Sequence, residues 1–208
     1  MSNNTNFEYY TILPIIKENT PSLMNDFEMS EEGIRFLYLE ELASSDYVVH
    51  LQIKEPEPIR PDMTSDYFNL ETFGVFSDKL KKELSKYVSL DNGVQFVPAI
   101  IKDDNGEEYR DFWVINAYKK ISCFDYDLST VGKISKATGT WRSVSKVVID
   151  PEKLKNIPLK DRLIYIAKEY PSFKLYHKSI VDVIESLSPK GLRFVPIEEW
   201  HEGIYFDS

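Results

Sequence analysis

The chain has one cysteine, three histidines, eight glycines and no long apolar run, and each shortage closes a class of explanation. A single Cys123 forbids an internal disulfide framework and any metal site needing two thiolates. Its setting, ISCF, reads as a buried free thiol. The few glycines form neither a Gly-x-Gly-x-x-Gly nor a Gly-x-Ser-x-Gly pattern, and Gly132-Lys133 lacks the first glycine of a phosphate-binding loop. No stretch reaches the roughly 18–20 apolar residues that span a bilayer. The first residues, MSNNTNFEYYTILP, lack a basic segment followed by an apolar one, so a cytoplasmic protein is expected and no membrane contact. Cations are also scarce. Lys and Arg number 25 against 34 Asp and Glu, a formal charge of −9, which argues against general binding to a phosphate backbone.

What is present is a core. Apolar residues make up 42% and aromatics 13% of 208 residues, enough for one large domain or two small halves. One motif occurs twice. VFSDKLKKELSKYVSLDNGVQFVP (75–98) and LYHKSIVDVIESLSPKGLRFVP (175–196) place Val75, Phe76, Leu80 and Leu84 in register with Leu175, Tyr176, Ile180 and Ile184. After a loop two residues different in length, Gly93, Phe96, Val97 and Pro98 match Gly191, Phe194, Val195 and Pro196. Each copy predicts an amphipathic helix, a glycine turn and a short strand ended by proline. Ser77 is the expected N-cap of the first helix, with Leu80, Leu84, Tyr87 and Val88 on its inner stripe.

Strands are expected at 7–13, 46–54, 94–101, 108–124, 143–150 and 163–168, the fourth broken by a bulge or bend. In 46–54, Val49, Leu51 and Ile53 share one face and Val48, His50 and Gln52 the other. DDNG (103–106) predicts a hairpin turn, and Pro151 a short helix from its first position. Residues 129–142, rich in Ser, Thr, Gly and Lys, predict a long exposed loop. EPEPIRP (55–61) predicts a stiff connection, and 33–42 has no clear type. The expected fold is α+β, a mixed or antiparallel sheet with a few amphipathic helices and an internally duplicated unit. Residues 1–60 are an N-terminal extension packed on a 61–208 domain, or the whole chain is one domain.

Chemistry is thin. His50 alternates with apolar strand residues, where it packs or faces solvent, and His177 stands where the first repeat has Ser77, a capping or surface position. His201 lies in Glu198-x-x-His201, but a di-iron site needs a second such motif and the chain has none. DDNGEE lacks the alternate oxygen ligands of a calcium loop. No catalytic residue, metal site or cofactor is therefore expected. Acidic clusters remain: Asp103, Asp104, Glu107 and Glu108 at the hairpin; Glu198, Glu199, Glu202 and Asp207 near the C-terminus; Asp26, Glu28, Glu31 and Glu32 in the N-terminal connection. Aromatics accompany the first two, Tyr109, Phe112 and Trp113 with one, and Trp200, Tyr205 and Phe206 with the other. Aromatic anchors inside a charged surround are the composition of a protein-binding surface. The expected contact residues are Asp103, Asp104, Glu107, Glu108, Glu198, Glu199, Trp200 and Glu202.

The succession FGVFSDKLKKEL, GVQFVPAII, DDNG, EEYRDFWVINAYKKISCFDYDLS, VVID and KSIVDVIESLSPKGLRFVP resembles the myxobacterial-type immunity-protein domain of bacterial polymorphic toxin systems. Phe112-Trp113-Val114-Ile115-Asn116 stands in that family's Asn-containing strand, and Asp125 and Asp127 where it carries an acidic turn. The resemblance spans about 66–197, with His177 departing from the Ser at the second helix start. It implies a stoichiometric antidote that binds and blocks a cognate toxin domain without catalysis. Without export, the two meet in the cytoplasm, and an acidic antidote suits a basic toxin. The alternatives are a small hydrolase assembled from distant residues, using His201 or His50, and a non-catalytic scaffold or regulatory module.

Overall fold

The structure, a computed structural model, describes residues 7–25, 33, 36, 39–54, 62–70, 73–201 and 203–204. Along the chain run β1 (Tyr9–Pro14), β2 (Leu23–Asn25), β3 (Val49–Ile53), β4 (Tyr67–Leu70), β5 (Phe73–Ser77), α1 (Asp78–Leu84), β6 (Val94–Lys102) and β7 (Glu108–Ala117). There follow β8 (Lys120–Ile121), β9 (Thr130–Val131), β10 (Val144–Lys146), α2 (Pro151–Leu154), β11 (Ile164–Ala167), β12 (Lys174–His177), α3 (Lys178–Ser186) and β13 (Leu192–Pro196). The fold is α+β. Among the described residues no helix is long and apolar enough to cross a membrane.

The chain forms two compact units. The larger takes in Pro14–Tyr118 and Val183–Arg193 and holds a six-stranded sheet ordered β2-β3-β6-β7-β5-β4. All its pairings are antiparallel except β3 with β6. β2 and β3, from the expected extension, are thus strands of this sheet, while the 55–61 connection lies outside the described residues. In β3, Val49, Leu51 and Ile53 are buried and His50 and Gln52 exposed, the alternation the sequence predicted. Phe36, Phe68, Phe73, Val75, Leu80, Leu84 and Ile101 are buried in this unit, with Phe36 stacked on Phe73 at 4.4 Å.

Ser77 caps α1 as expected, its hydroxyl accepting from the Leu80 N–H. The helix stops at Leu84, so Tyr87 falls beyond it and is exposed, whereas Val88 stays buried. Asp66 stitches this region together. Its carboxylate accepts from the Ser77 hydroxyl (2.7 Å) and from the Lys190 N–H (3.0 Å), and Lys79 Nζ lies at 3.5 Å. A charged acceptor makes each such bond worth about 1.5–3 kcal/mol. The turn so held needs Gly191: its φ is +88°, and a Cβ there would meet Ser65 Oγ at 2.4 Å and the Tyr67 carbonyl at 2.6 Å.

The other unit takes in the chain up to Leu13, Lys119–Asp182 and the chain from Phe194 onward. Its five-stranded sheet runs β13-β1-β12-β11-β8. Both motif segments fold as strand, helix, turn and strand, and in each sheet one strand separates the pair: β7 between β5 and β6, β1 between β12 and β13. The segments differ at their ends. Pro196 closes β13, but β6 runs on through Pro98 to Lys102. At Pro98 only β7 lies alongside, because β3 pairs from Ala99 onward, and a strand open on one side tolerates a missing N–H.

Asp150 caps α2 with Pro151 at its first position. Residues 129–142 are not the open loop that their composition suggested. β9 pairs with β10, and an Ile134–Trp141 bridge continues the ribbon toward its tip. The apolar face of the ribbon explains this, since Trp141, Val144 and Val147 belong to the core formed with Phe124, Tyr165 and Phe173. The strand expected over 143–150 shortens to β10 accordingly. At the ribbon's base the buried Glu169 carboxylate accepts from Ser122 Oγ (2.6 Å), Cys123 N (3.0 Å) and Phe124 N (3.3 Å), with Lys153 Nζ at 3.7 Å.

Lys174 in β12 is buried, and burial pushes its ammonium down to about 7 from 10.5. Between these values the unfolded chain holds a proton that the folded chain does not, so through Lys174 stability rises with pH from about 7 to about 9. Above that the raised Cys123 thiol, protonated only in the folded chain, acts the other way. Thermal unfolding across that range measures the slope. Lys174→Met is expected to flatten it and to raise the melting temperature at pH 7.

Candidate functional site

The β6–β7 hairpin carries the first acidic cluster. Lys102 pairs with Glu108, and the Asp103 N–H bonds to the Glu107 carbonyl. Asp103 serves the turn itself: its Oδ1 accepts from the N–H of Asn105 (3.0 Å) and of Glu107 (2.8 Å), while Gly106 takes φ +82°. Asp104 accepts from the Asn105 amide at 2.9 Å, Glu108 pairs with Arg110, and both Asp104 and Glu107 are exposed. Three of the four acids thus bond to neighbours in the hairpin, and exposed Asp104 and Glu107 form its outward tip.

The expected bulge lies in β7. Where β6 advances from Ala99 to Ile101, β7 advances from Tyr109 to Phe112, so Arg110 and Asp111 are exposed in succession. Glu108, Arg110 and Asp111 line a cleft of about 720 Å³ with Asp78, Lys79 and Lys82 of α1. Acids and bases alternate there. Lys82 pairs with Asp78 at 2.5 Å, and that bond together with the Trp113 indole holds the Asp78 carboxyl below its usual range.

Trp113 links this cleft to a second one. It is half-buried, donates its indole N–H to Asp78 (3.3 Å) and lies under Lys81 Nζ, 4.4 Å from the ring. It also lines an open groove of about 540 Å³, with half-buried Phe96 and Pro98 on β6 and exposed Leu90. Ser44, Ser45, Ser89 and Asp91 edge that groove. Gln95 fixes its wall: the side-chain amide donates to the Leu42 carbonyl (3.0 Å) and accepts from the Leu42 N–H (2.8 Å). Asn116, opposite Gln95 in the ladder and buried, donates to the Glu40 carbonyl at 2.8 Å. Sequence reading missed Gln95 and the groove. Two facing amides inside apolar strands were the available signal, because buried amides need partners.

In the other unit Glu198 and Glu199 lie on the short 3-10 turn after β13. Trp200 is half-buried, its ring edge-on to Phe173 at 4.7 Å and packed on the cores around Ile197 and Leu13. Glu202, Tyr205, Phe206 and Asp207 lie outside the described residues, as do Asp26, Glu28, Glu31 and Glu32.

The histidines are separated by role. His50 is exposed on β3, and His201 is exposed near the C-terminus. His177 is buried and caps α3, its Nδ1 accepting from the Ser179 N–H at 3.2 Å. Cys123 is buried as expected, and burial with the nearby Glu169 carboxylate pushes its thiol far up. Among the described residues no three His, Cys, Asp or Glu side chains are grouped to hold a metal ion. No protein-family model matches the chain, and no curated protein matches it significantly.

Asp103→Ala removes the acceptor of two N–H groups, and a cost of about 1 kcal/mol is expected. Amide hydrogen exchange should quicken at Asn105 and Glu107. Glu107→Gln touches no partner in the turn and should leave both stability and exchange unchanged.

Proposed function

We propose that this chain is a non-catalytic antidote, an immunity protein of a bacterial polymorphic toxin system, which binds a cognate toxin domain one-to-one in the cytoplasm. Two things support the reading: the likeness of residues 66–197 to that family's motif order, and the groove beside Trp113. The groove carries it. An apolar floor of Phe96, Pro98 and Trp113 within a rim of serines and Asp91 has the anatomy of a protein-binding pocket: a dry centre, a polar edge and an aromatic anchor. Rigid β-strands and the Gln95 clamp hold it in shape before binding, which lowers the ordering cost of association.

In this mechanism a toxin side chain enters the groove and excludes water against Trp113. The exposed carboxylates of Asp104 and Glu107 add a negative field at the hairpin tip, which speeds encounter with a basic domain. Occlusion then follows from bulk alone, and no proton or group is transferred.

A candidate toxin domain encoded beside this chain is induced in a heterologous host with and without it, and the two are co-purified. Rescue and a stable one-to-one complex are expected. Trp113→Ala and, independently, the exposed Leu90→Ala should weaken binding by about 2 kcal/mol or more for the tryptophan and less for the leucine, mainly through faster dissociation. Asp104→Lys with Glu107→Lys should chiefly slow association. Growth arrest despite soluble expression with no complex, or full binding by both groove variants, overturns the reading.

A further inference from the structure

The 22 residues from Leu128 to Ile149 contain Lys133, Lys136, Arg142 and Lys146 and no carboxylate. They carry +4 in a chain of −9, which leaves −13 for the remainder. All four cations are exposed, and among the described residues none is paired with an acid. A solvated charged loop would be unremarkable, but this segment is built. β9 and β10 pair at Val131↔Val144 and Thr130↔Lys146, the Arg142 N–H bonds to the Lys133 carbonyl at 2.7 Å, and the Trp141 N–H bonds to the Glu169 carbonyl at 2.7 Å. Trp141 stacks on Phe124 at 5.5 Å and so fastens the inner face to the core. The exposed cations therefore stand on a backbone fastened to the core.

We infer that this ribbon is a docking surface for an acidic, partly apolar segment of a protein partner. Two observations choose that occupant over a nucleic acid. Exposed Ile134 and Leu128 lie in this segment, at 50% and 60% exposure, and offer apolar contacts that a phosphate backbone does not use. The positive field is also local. At physiological salt it extends about 8 Å, and Asp125, Asp127 and Asp150 flank the cationic segment at its two ends, so it suits a short acidic segment better than a long polyanion. The inference stands independently of the antidote reading, whose partner at the hairpin tip is basic.

The test titrates the whole chain into a fluorescein-labelled peptide of alternating glutamate and leucine, and into a single-stranded RNA of equal charge, by fluorescence anisotropy. Saturable binding of the peptide, weakened by added salt, is expected. Lys133→Glu with Arg142→Glu should lower its affinity by about tenfold or more. Lys160→Glu with Lys168→Glu makes the same charge change at two exposed positions outside the ribbon and should have a much smaller effect. Lys133→Gln with Arg142→Gln gives an intermediate loss, and tryptophan fluorescence checks that Trp141 stays packed. No saturable peptide binding, equal loss in the two charge-reversed variants, or tighter binding of the RNA each overturns the inference.

Discussion

The pairing of β6 with β7 is the constraint on which the larger unit depends. It runs from Val94↔Ala117 to Lys102↔Glu108, and it places Phe96, Pro98 and Trp113 of the groove and the two strands that the hairpin turn joins. Its register puts Phe112 and Val114 into the core and leaves Trp113 half-exposed between them. A slip of one residue would exchange those faces and remove the anchor. The ladder also sets Gln95 opposite Asn116, so that two amides reach the main chain of residues 40–42 and hold the groove wall. Asp103 closes the far end by gathering its own turn N–H groups.

Much of this was legible in the sequence where a local rule acts alone. Alternation in β3, the Ser77 cap, the Asn-Gly turn and the start of α2 at Pro151 all follow from neighbours in the chain. The errors came where tertiary contacts prevail. Composition made 129–142 a loop because Ser, Thr, Gly and Lys dominate it, yet Trp141 and Val144 find core positions and draw the segment into a ribbon. The helical stripe extended to Tyr87 because periodicity carries no stop signal at Leu84, where the chain turns instead.

The site was legible only in outline. Acidic residues near aromatics were visible, but not that Asp103, Asp104 and Glu108 would each bond within the hairpin. Trp113 and Trp200 looked alike in sequence. Trp113 lines an open groove, and Trp200 packs edge-on against Phe173. Both are half-buried, and what separates them is the neighbours each meets, which depend on which strands pair. The charge balance misleads in the same way, since a net −9 conceals a structured patch of +4.

The central claim is that the groove beside Trp113 receives the partner. Amide hydrogen exchange on the full chain, free and saturated with the candidate toxin domain, tests it most directly. Slowed exchange is expected at 44–47, 81–98 and 104–113, the segments that border the groove and form the hairpin tip. A stable complex in which these segments exchange as in the free chain would contradict the account.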